Sequence, residues 1–193
     1  WNSDIRHYLL RRNGDIKMIL ALLSILGCTA PEDTAVASPI TWTECGYYFE
    51  EHPCDFTLKD QDGKDWNLYE HYGSPIVVDF STMWCSICVT STATINAMTL
   101  DYASKDLVWV TVLIEDSSGN PVDVEDVKYW STTYNMTTPI LVGDRSFIDL
   151  SAETGYPIAG FPTIVGMTDE MVLELGIVGW SEELIRTWIE TQE

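Results

Sequence analysis

Two cysteines two residues apart are the side chains of this sequence most suited to covalent chemistry. They are Cys85 and Cys88, in the run Asp79-Phe80-Ser81-Thr82-Met83-Trp84-Cys85-Ser86-Ile87-Cys88. The apolar segment Pro75-Ile76-Val77-Val78 before them reads as a buried strand entered from Gly73-Ser74. After Cys88, the residues Val89, Ile95, Ala97, Met98 and Tyr102 follow a rough helical spacing. A Cys-x-x-Cys between a strand and a helix is a redox motif with a mechanism. The first sulfur lies at a helix N-terminus, where unpaired N–H groups and the macrodipole favour the thiolate. The second lies one turn on, close enough to close a disulfide. Cys85 is thus the candidate nucleophile and Cys88 the resolving thiol. The same pair could instead be half of a zinc site, with Cys45 and Cys54 as the other half. Zinc sites of that kind usually repeat the short spacing, whereas eight residues separate Cys45 from Cys54.

Around this motif the chain resembles the thioredoxin superfamily. Val77-Val78-Asp79-Phe80-Ser81-Thr82-Met83-Trp84-Cys85-Ser86-Ile87-Cys88 is similar to the superfamily's strand–WCxxC–helix unit, with an aromatic residue directly before the first cysteine. Asp79 stands where the resemblance implies a buried acid beneath the disulfide, six residues before the nucleophile. Its place after Val77-Val78 also argues for burial, which would raise its pKa and let it relay a proton to Cys88. Gly160-Phe161-Pro162-Thr163 matches the loop that, in this superfamily, sets a cis-proline against the disulfide. The resemblance covers roughly residues 54 to 190. It implies an α/β, thioredoxin-like fold: a central mixed β-sheet flanked by helices, with an N-terminal β-hairpin and an inserted strand–helix unit. It also implies that the backbone of Phe161, Pro162 and Thr163 holds a substrate chain, with Trp84 and Phe161 as an apolar rim.

The organisation around that domain is read in order. Residues 1–27 resemble a bacterial lipoprotein signal: Arg11, Arg12 and Lys17, an apolar run from Met18 to Leu26, then Ile25-Leu26-Gly27-Cys28. The apolar run is too short to span a bilayer. Ile25 replaces the usual leucine of the motif, and Cys28 is the residue to be acylated. Residues 28–43 are small, polar and proline-containing, as in a tether. The domain follows over 44–193. A location outside the cytoplasm would let disulfides persist, held by a lipid anchor at Cys28 in place of a membrane-spanning helix. Cys45 and Cys54 enclose Gly, Pro and six other residues, which allows a small loop closed by a structural disulfide; a second redox pair is the alternative.

From Asp55 the pattern alternates and turns at Asp62-Gly63, a hairpin signal, and resembles the opening of the TlpA-like and peroxiredoxin-like branches. Leu107–Ile114 is a nearly unbroken apolar run, expected of a strand buried on both faces. Glu115 to Pro121 reads as a loop. Val124, Val127, Tyr129, Trp130 and Tyr134 mark an amphipathic helix capped by Asp123. Residues 139–142 read as a short strand and 148–154 as a short helix. Strands follow at 163–167 and 172–178, then a last helix capped by Ser181.

Ten basic against thirty acidic residues give a net charge of −20, and this excludes the Lys/Arg clusters that phosphate contacts need. Nucleic acid is therefore not a partner. The motif and the resemblance together imply a thiol–disulfide oxidoreductase of the cell envelope, expected to work in the reducing direction with its own Cys85–Cys88 disulfide and no other cofactor. Its partners would be protein thiols and disulfides and an upstream thiol–disulfide electron donor. A peroxiredoxin-like peroxidase is the first alternative. Thr82 lies three residues before Cys85 in a Thr-x-x-Cys pattern, but the only arginines downstream are Arg145 and Arg186. A copper module would want a longer cysteine spacing and a distal histidine, and no histidine follows His71. A redox-inert binding domain is the last alternative.

Overall fold

The computed structural model describes residues 40–192. The expected leader over 1–27, the expected acylation site Cys28 and the expected tether as far as residue 39 lie outside the described residues.

A hairpin opens the domain: β1 (Thr57–Lys59) pairs antiparallel with β2 (Asp65–Asn67). The Asp60 carboxylate accepts from the Asp62 and Lys64 amides, and Gly63 takes φ +74. An aspartate bonding its own turn and a glycine at positive φ are what the sequence Asp-Gln-Asp-Gly supplies. One 3₁₀ turn (Leu68–His71) leads to β3 (Ile76–Ser81), in which every residue is buried. Then follow α1 (Ser86–Asp101), β4 (Val108–Leu113), α2 (Val124–Thr133), β5 (Ile140–Val142), β6 (Thr163–Met167), β7 (Leu173–Val178) and α3 (Glu182–Thr191).

The main sheet has the order β5-β4-β3-β6-β7. β4 is parallel to β3 and β5 to β4, while β6 and β7 run antiparallel to their neighbours, so the sheet is mixed. β3 sits at its centre because alternate residues have apolar partners on both faces. Val77 joins one core with Cys88, Ile95 and Met98 of α1, Val127 and Trp130 of α2, and Ile185, Trp188 and Ile189 of α3. Ile76, Val78 and Phe80 join the other, with Trp66, Leu68, Tyr156 and Met171. All three helices thus feed the first core, while the hairpin and loop aromatics fill the second. The interval between Cys88 and Pro162 holds the rest of α1, then β4, α2 and β5, and β5 forms the sheet edge beyond β4.

The caps follow the sequence. Asp123 and Asp126 form a capping box at α2, and Ser181 caps α3. The buried stripe of α1 is Cys88, Ser91, Thr92, Ile95 and Met98, whereas Ala97 faces outward. The hydroxyls of Ser91 and Thr92 donate to Cys88 and Val89 carbonyls, which lets polar residues line a buried helix face. The expected helix over 148–154 does not form. A 3₁₀ turn at Arg145–Phe147 is followed by a loop wound round Asp149, whose carboxylate accepts from the amides and hydroxyls of Ser151 and Thr154. Side chains that satisfy backbone amides this way compete with helix. Among the described residues no helix is long and apolar enough to cross a membrane.

Candidate active site

The redox pair sits where β3 hands over to α1. Cys85 is the N-cap of α1, in extended backbone, and Cys88 lies in its first turn; the two sulfurs are bonded to each other. The Cys88 amide donates to Cys85 Sγ at 3.2 Å. An orphan N–H of the helix start therefore points at the sulfur that would carry the negative charge once the bond opens. Cys85 is 7% exposed and Cys88 1%. The order of accessibility matches a nucleophile in front and a resolving thiol behind.

Across from the disulfide lies the loop 160–163. The Phe161–Pro162 peptide bond is cis, and the Phe161 carbonyl oxygen lies 3.5 Å from Cys85 Sγ. Two bonds hold this loop in place. The Thr163 hydroxyl donates to the Gly160 carbonyl at 2.7 Å, and the amide of Gly179 donates to the Pro162 carbonyl at 2.7 Å. Gly179 has φ +89, a turn conformation that a side chain would strain. Thr163 itself is buried within β6, in register with Phe80 of β3 and Val178 of β7. Phe161 faces the rim, edge-on to Trp84 with ring centroids 5.8 Å apart. Trp84 is 50% exposed.

Asp79 is 1% exposed and in register with Thr111 of β4. Strand alternation turns it to the same face as Val77, the face on which α1 packs. Its carboxylate accepts from the Ser81 hydroxyl at 2.7 Å and the Thr111 hydroxyl at 3.2 Å. Burial pushes its pKa up to about 6, and those two hydrogen bonds only partly offset the shift.

The other cysteines pair as well: Cys45 is bonded to Cys54. With every described sulfur of cysteine bonded to another, the four-thiolate zinc arrangement is not formed. The two arginines weighed for a peroxidase are both engaged. Arg186 donates to Asp101 and Glu182 and lies over the Tyr102 ring. Arg145 donates through Nε to Glu115 Oε1 at 2.6 Å, and its Nη2 also pairs with that oxygen. Thr82 is buried with its hydroxyl unpartnered, and its carbonyl accepts from the Cys85 amide at 3.3 Å.

One residue at the site escaped sequence reasoning. Glu115, read as part of a loop, is 5% exposed and accepts from the Trp84 indole N–H at 2.8 Å. Its backbone carbonyl accepts from the Met83 amide at 2.9 Å. The only signal available was an acid directly after an apolar strand.

Residues 50–150 match the AhpC/TSA family. The chain belongs to that family. As an AhpC/TSA protein it carries the thioredoxin-like fold, and solved structures share it. The thioredoxin domain of a Bacteroides vulgatus thiol-disulfide oxidoreductase superposes with a TM-score of 0.62 at 18% identity, covering 76% of this chain and 99% of that one. A thiol:disulfide interchange protein of the thioredoxin family from Chlorobium tepidum gives 0.57 at 18% identity, over 78% and 96%. The exposed lipoprotein thioredoxin of Streptococcus pneumoniae gives 0.57 at 27% identity, over 71% and 98%. Among curated proteins, an uncharacterized Haemophilus influenzae protein is 24% identical over 104 residues, or 53% of this chain. The chain spans just under two thirds of that relative's length, 66%.

Proposed function

We propose that this AhpC/TSA protein is a thiol–disulfide oxidoreductase that reduces protein disulfides through Cys85 and Cys88. The observation that carries the proposal is the bonded pair at the start of α1, with the Cys88 amide aimed at Cys85 Sγ and the Phe161 carbonyl facing the same sulfur.

In the reducing direction the Cys85 thiolate attacks one sulfur of a substrate disulfide. The substrate's other sulfur leaves as a thiolate and takes a proton from solvent. Cys88 then loses its proton and attacks Cys85 Sγ, which releases the second substrate thiol and leaves Cys85 bonded to Cys88. Asp79 is the base for that second step. With a pKa of about 6 it is mostly ionised at pH 7, yet basic enough to accept a proton in a dry site. A dithiol donor returns the pair to the reduced state, and no cofactor beyond the cysteines enters the scheme. Trp84 and Phe161 form the apolar rim against which the substrate lies, while Thr163 anchors the loop that carries Phe161 and Pro162.

The proposed setting is the cell envelope, with acylated Cys28 as the anchor and residues 28–43 as the tether. The Cys45–Cys54 disulfide supports an oxidising compartment. So does the 27% identity to the pneumococcal protein described as an exposed lipoprotein. A peroxidase reading fits less well, because Arg145 and Arg186 are held by carboxylates and Cys85 has a bonded neighbour.

The test is insulin reduction driven by dithiothreitol, together with the reduction potential of Cys85–Cys88 in a Cys45→Ser/Cys54→Ser background. Turnover above the uncatalysed rate and a strongly reducing potential are expected. A potential at the oxidising end reverses the direction. Absence of turnover, with consumption of hydrogen peroxide in its place, would favour the peroxidase.

A further inference from the structure

Glu115 joins its own segment to two others at the mouth of the redox site. It follows β4 by two residues, and its carboxylate is split between two donors. Oε1 accepts from Arg145, at the start of the 3₁₀ turn that follows β5. Oε2 accepts from the indole of Trp84, the residue directly before the nucleophile. Its main chain takes the Met83 amide, so the same residue grips both positions that precede Trp84's neighbour Cys85. Trp84 in turn meets Phe161 edge-on, and Phe161 precedes the cis-proline. The line Arg145–Glu115–Trp84–Phe161 therefore runs from the turn after β5 to the rim that faces a substrate.

A buried carboxylate is tolerated only when its charge is paired and its oxygens are satisfied. Arg145 supplies the charge, and its own side chain stays largely in solvent. The second oxygen is then left to take the indole N–H in a charge-assisted bond, stronger and shorter than a neutral one. Trp84 needs such a tether. Half of its surface is exposed, and a half-exposed indole without a bond would sample several rotamers. A bond made before substrate arrives removes that freedom in advance, which is how preorganisation raises affinity.

We infer that Glu115 is a positioning residue: with Arg145 behind it, it fixes the Trp84 indole so that Trp84 and Phe161 present a preformed apolar notch to the residues flanking a substrate's cysteine. The inference rests on the oxidoreductase reading. It places Glu115 in substrate engagement and outside the thiol chemistry, because its contacts are to Trp84, Met83 and Arg145 and none is to a sulfur.

The test is a mutant cycle read with oxidised insulin as substrate. Glu115→Leu should raise KM about ten-fold, the loss expected for one charge-assisted hydrogen bond, with kcat within about two-fold of native. Alkylation of reduced Cys85 by iodoacetamide should keep its native rate. Glu115→Gln, which retains an acceptor oxygen, should restore most of the affinity. Trp84→Phe should raise KM to a similar degree, and Glu115→Leu should add nothing in that background. Should Glu115→Leu fold poorly, Arg145→Ala takes its place in the cycle, and a raised KM that vanishes in the Trp84→Phe background is again expected. Independently, the Trp84 indole N–H resonance, assigned by its loss in Trp84→Phe, should exchange faster with solvent in the Glu115 and Arg145 variants. Additive effects, an unmoved KM, a slowed alkylation or an unchanged exchange rate each overturn the inference while native turnover stands. A native protein without turnover overturns the oxidoreductase reading and this inference with it.

Discussion

Cys45–Cys54 and Cys85–Cys88 are the same covalent bond in two surroundings. The first joins cysteines nine positions apart and closes a surface loop. Inside it the Gly46 amide donates to the His52 carbonyl, and Tyr48 and Phe49 lie exposed. No helix starts at either of its sulfurs. The second joins cysteines three positions apart, in surroundings that bear on charge: a helix N-terminus, an amide aimed at Cys85, a carbonyl opposite and a buried acid on the strand that leads to it. On the proposed reading, the difference teaches that a disulfide becomes reactive through the groups that stabilise its opened form. A staple needs only a loop to close.

Breaking each disulfide in turn should separate the two most sharply. Cys85→Ser should lower insulin reduction more than about 10³-fold, since the nucleophile has no substitute. Cys45→Ser with Cys54→Ser should leave the rate within about two-fold. Equal losses at both sites would erase the distinction.

Asp79, the proposed base, gives the next effect. Asp79→Asn keeps the shape and the partners Ser81 and Thr111 but removes the base, and should slow resolution by Cys88 on the order of 10²-fold. The mutation has an opposite effect on stability. Folding raises the pKa of Asp79 from 3.8 to about 6, so between those values the folded state binds more protons than the unfolded one. Stability therefore falls as pH rises through about 4 to 6, and stays lower above that window. Asp79→Asn abolishes the fall and should stabilise the protein at pH 7 by about 2–3 kcal/mol. Urea unfolding at pH 4.5 and 7, beside the pH dependence of single-turnover resolution, checks both signs. A destabilised but fully active variant would contradict them.

For the staple the expected change is in stability alone. Opening a loop of this length should cost about 2–3 kcal/mol by chain entropy, seen as a lower urea midpoint for Cys45→Ser with Cys54→Ser. The smallest effect is expected away from both pairs. Arg186→Ala removes ion pairs to Asp101 and Glu182 at the surface, worth under about 1 kcal/mol in thermal unfolding and nothing in turnover.

Much of this was legible because it is local. Strand, Trp84, Cys85, Cys88 and helix are contiguous, so one run of sequence carries both the chemistry and its scaffold. Asp79 was legible from the Val-Val before it. The hairpin was legible from Asp-Gly, and α2 and α3 from Asp123 and Ser181. What escaped depends on partners distant in sequence. Glu115 meets Trp84 across 31 positions and Arg145 across 30, and no periodicity encodes that meeting. The buried stripe of α1 was not legible because Ser91 and Thr92 hide their polarity in bonds to their own helix. The loop at 148–154 was misassigned because Asp149 is satisfied by amides that a helix would have used elsewhere.

The central claim is that Cys85 exchanges with protein disulfides and Cys45 and Cys54 do not. Its most direct measurement is a trap: reduced Cys88→Ser protein incubated with oxidised insulin, quenched in acid and mapped by peptide mass spectrometry. A single mixed disulfide, between Cys85 and an insulin cysteine, is the expected product. Recovery of no adduct, or of adducts through Cys45 or Cys54, would contradict the claim.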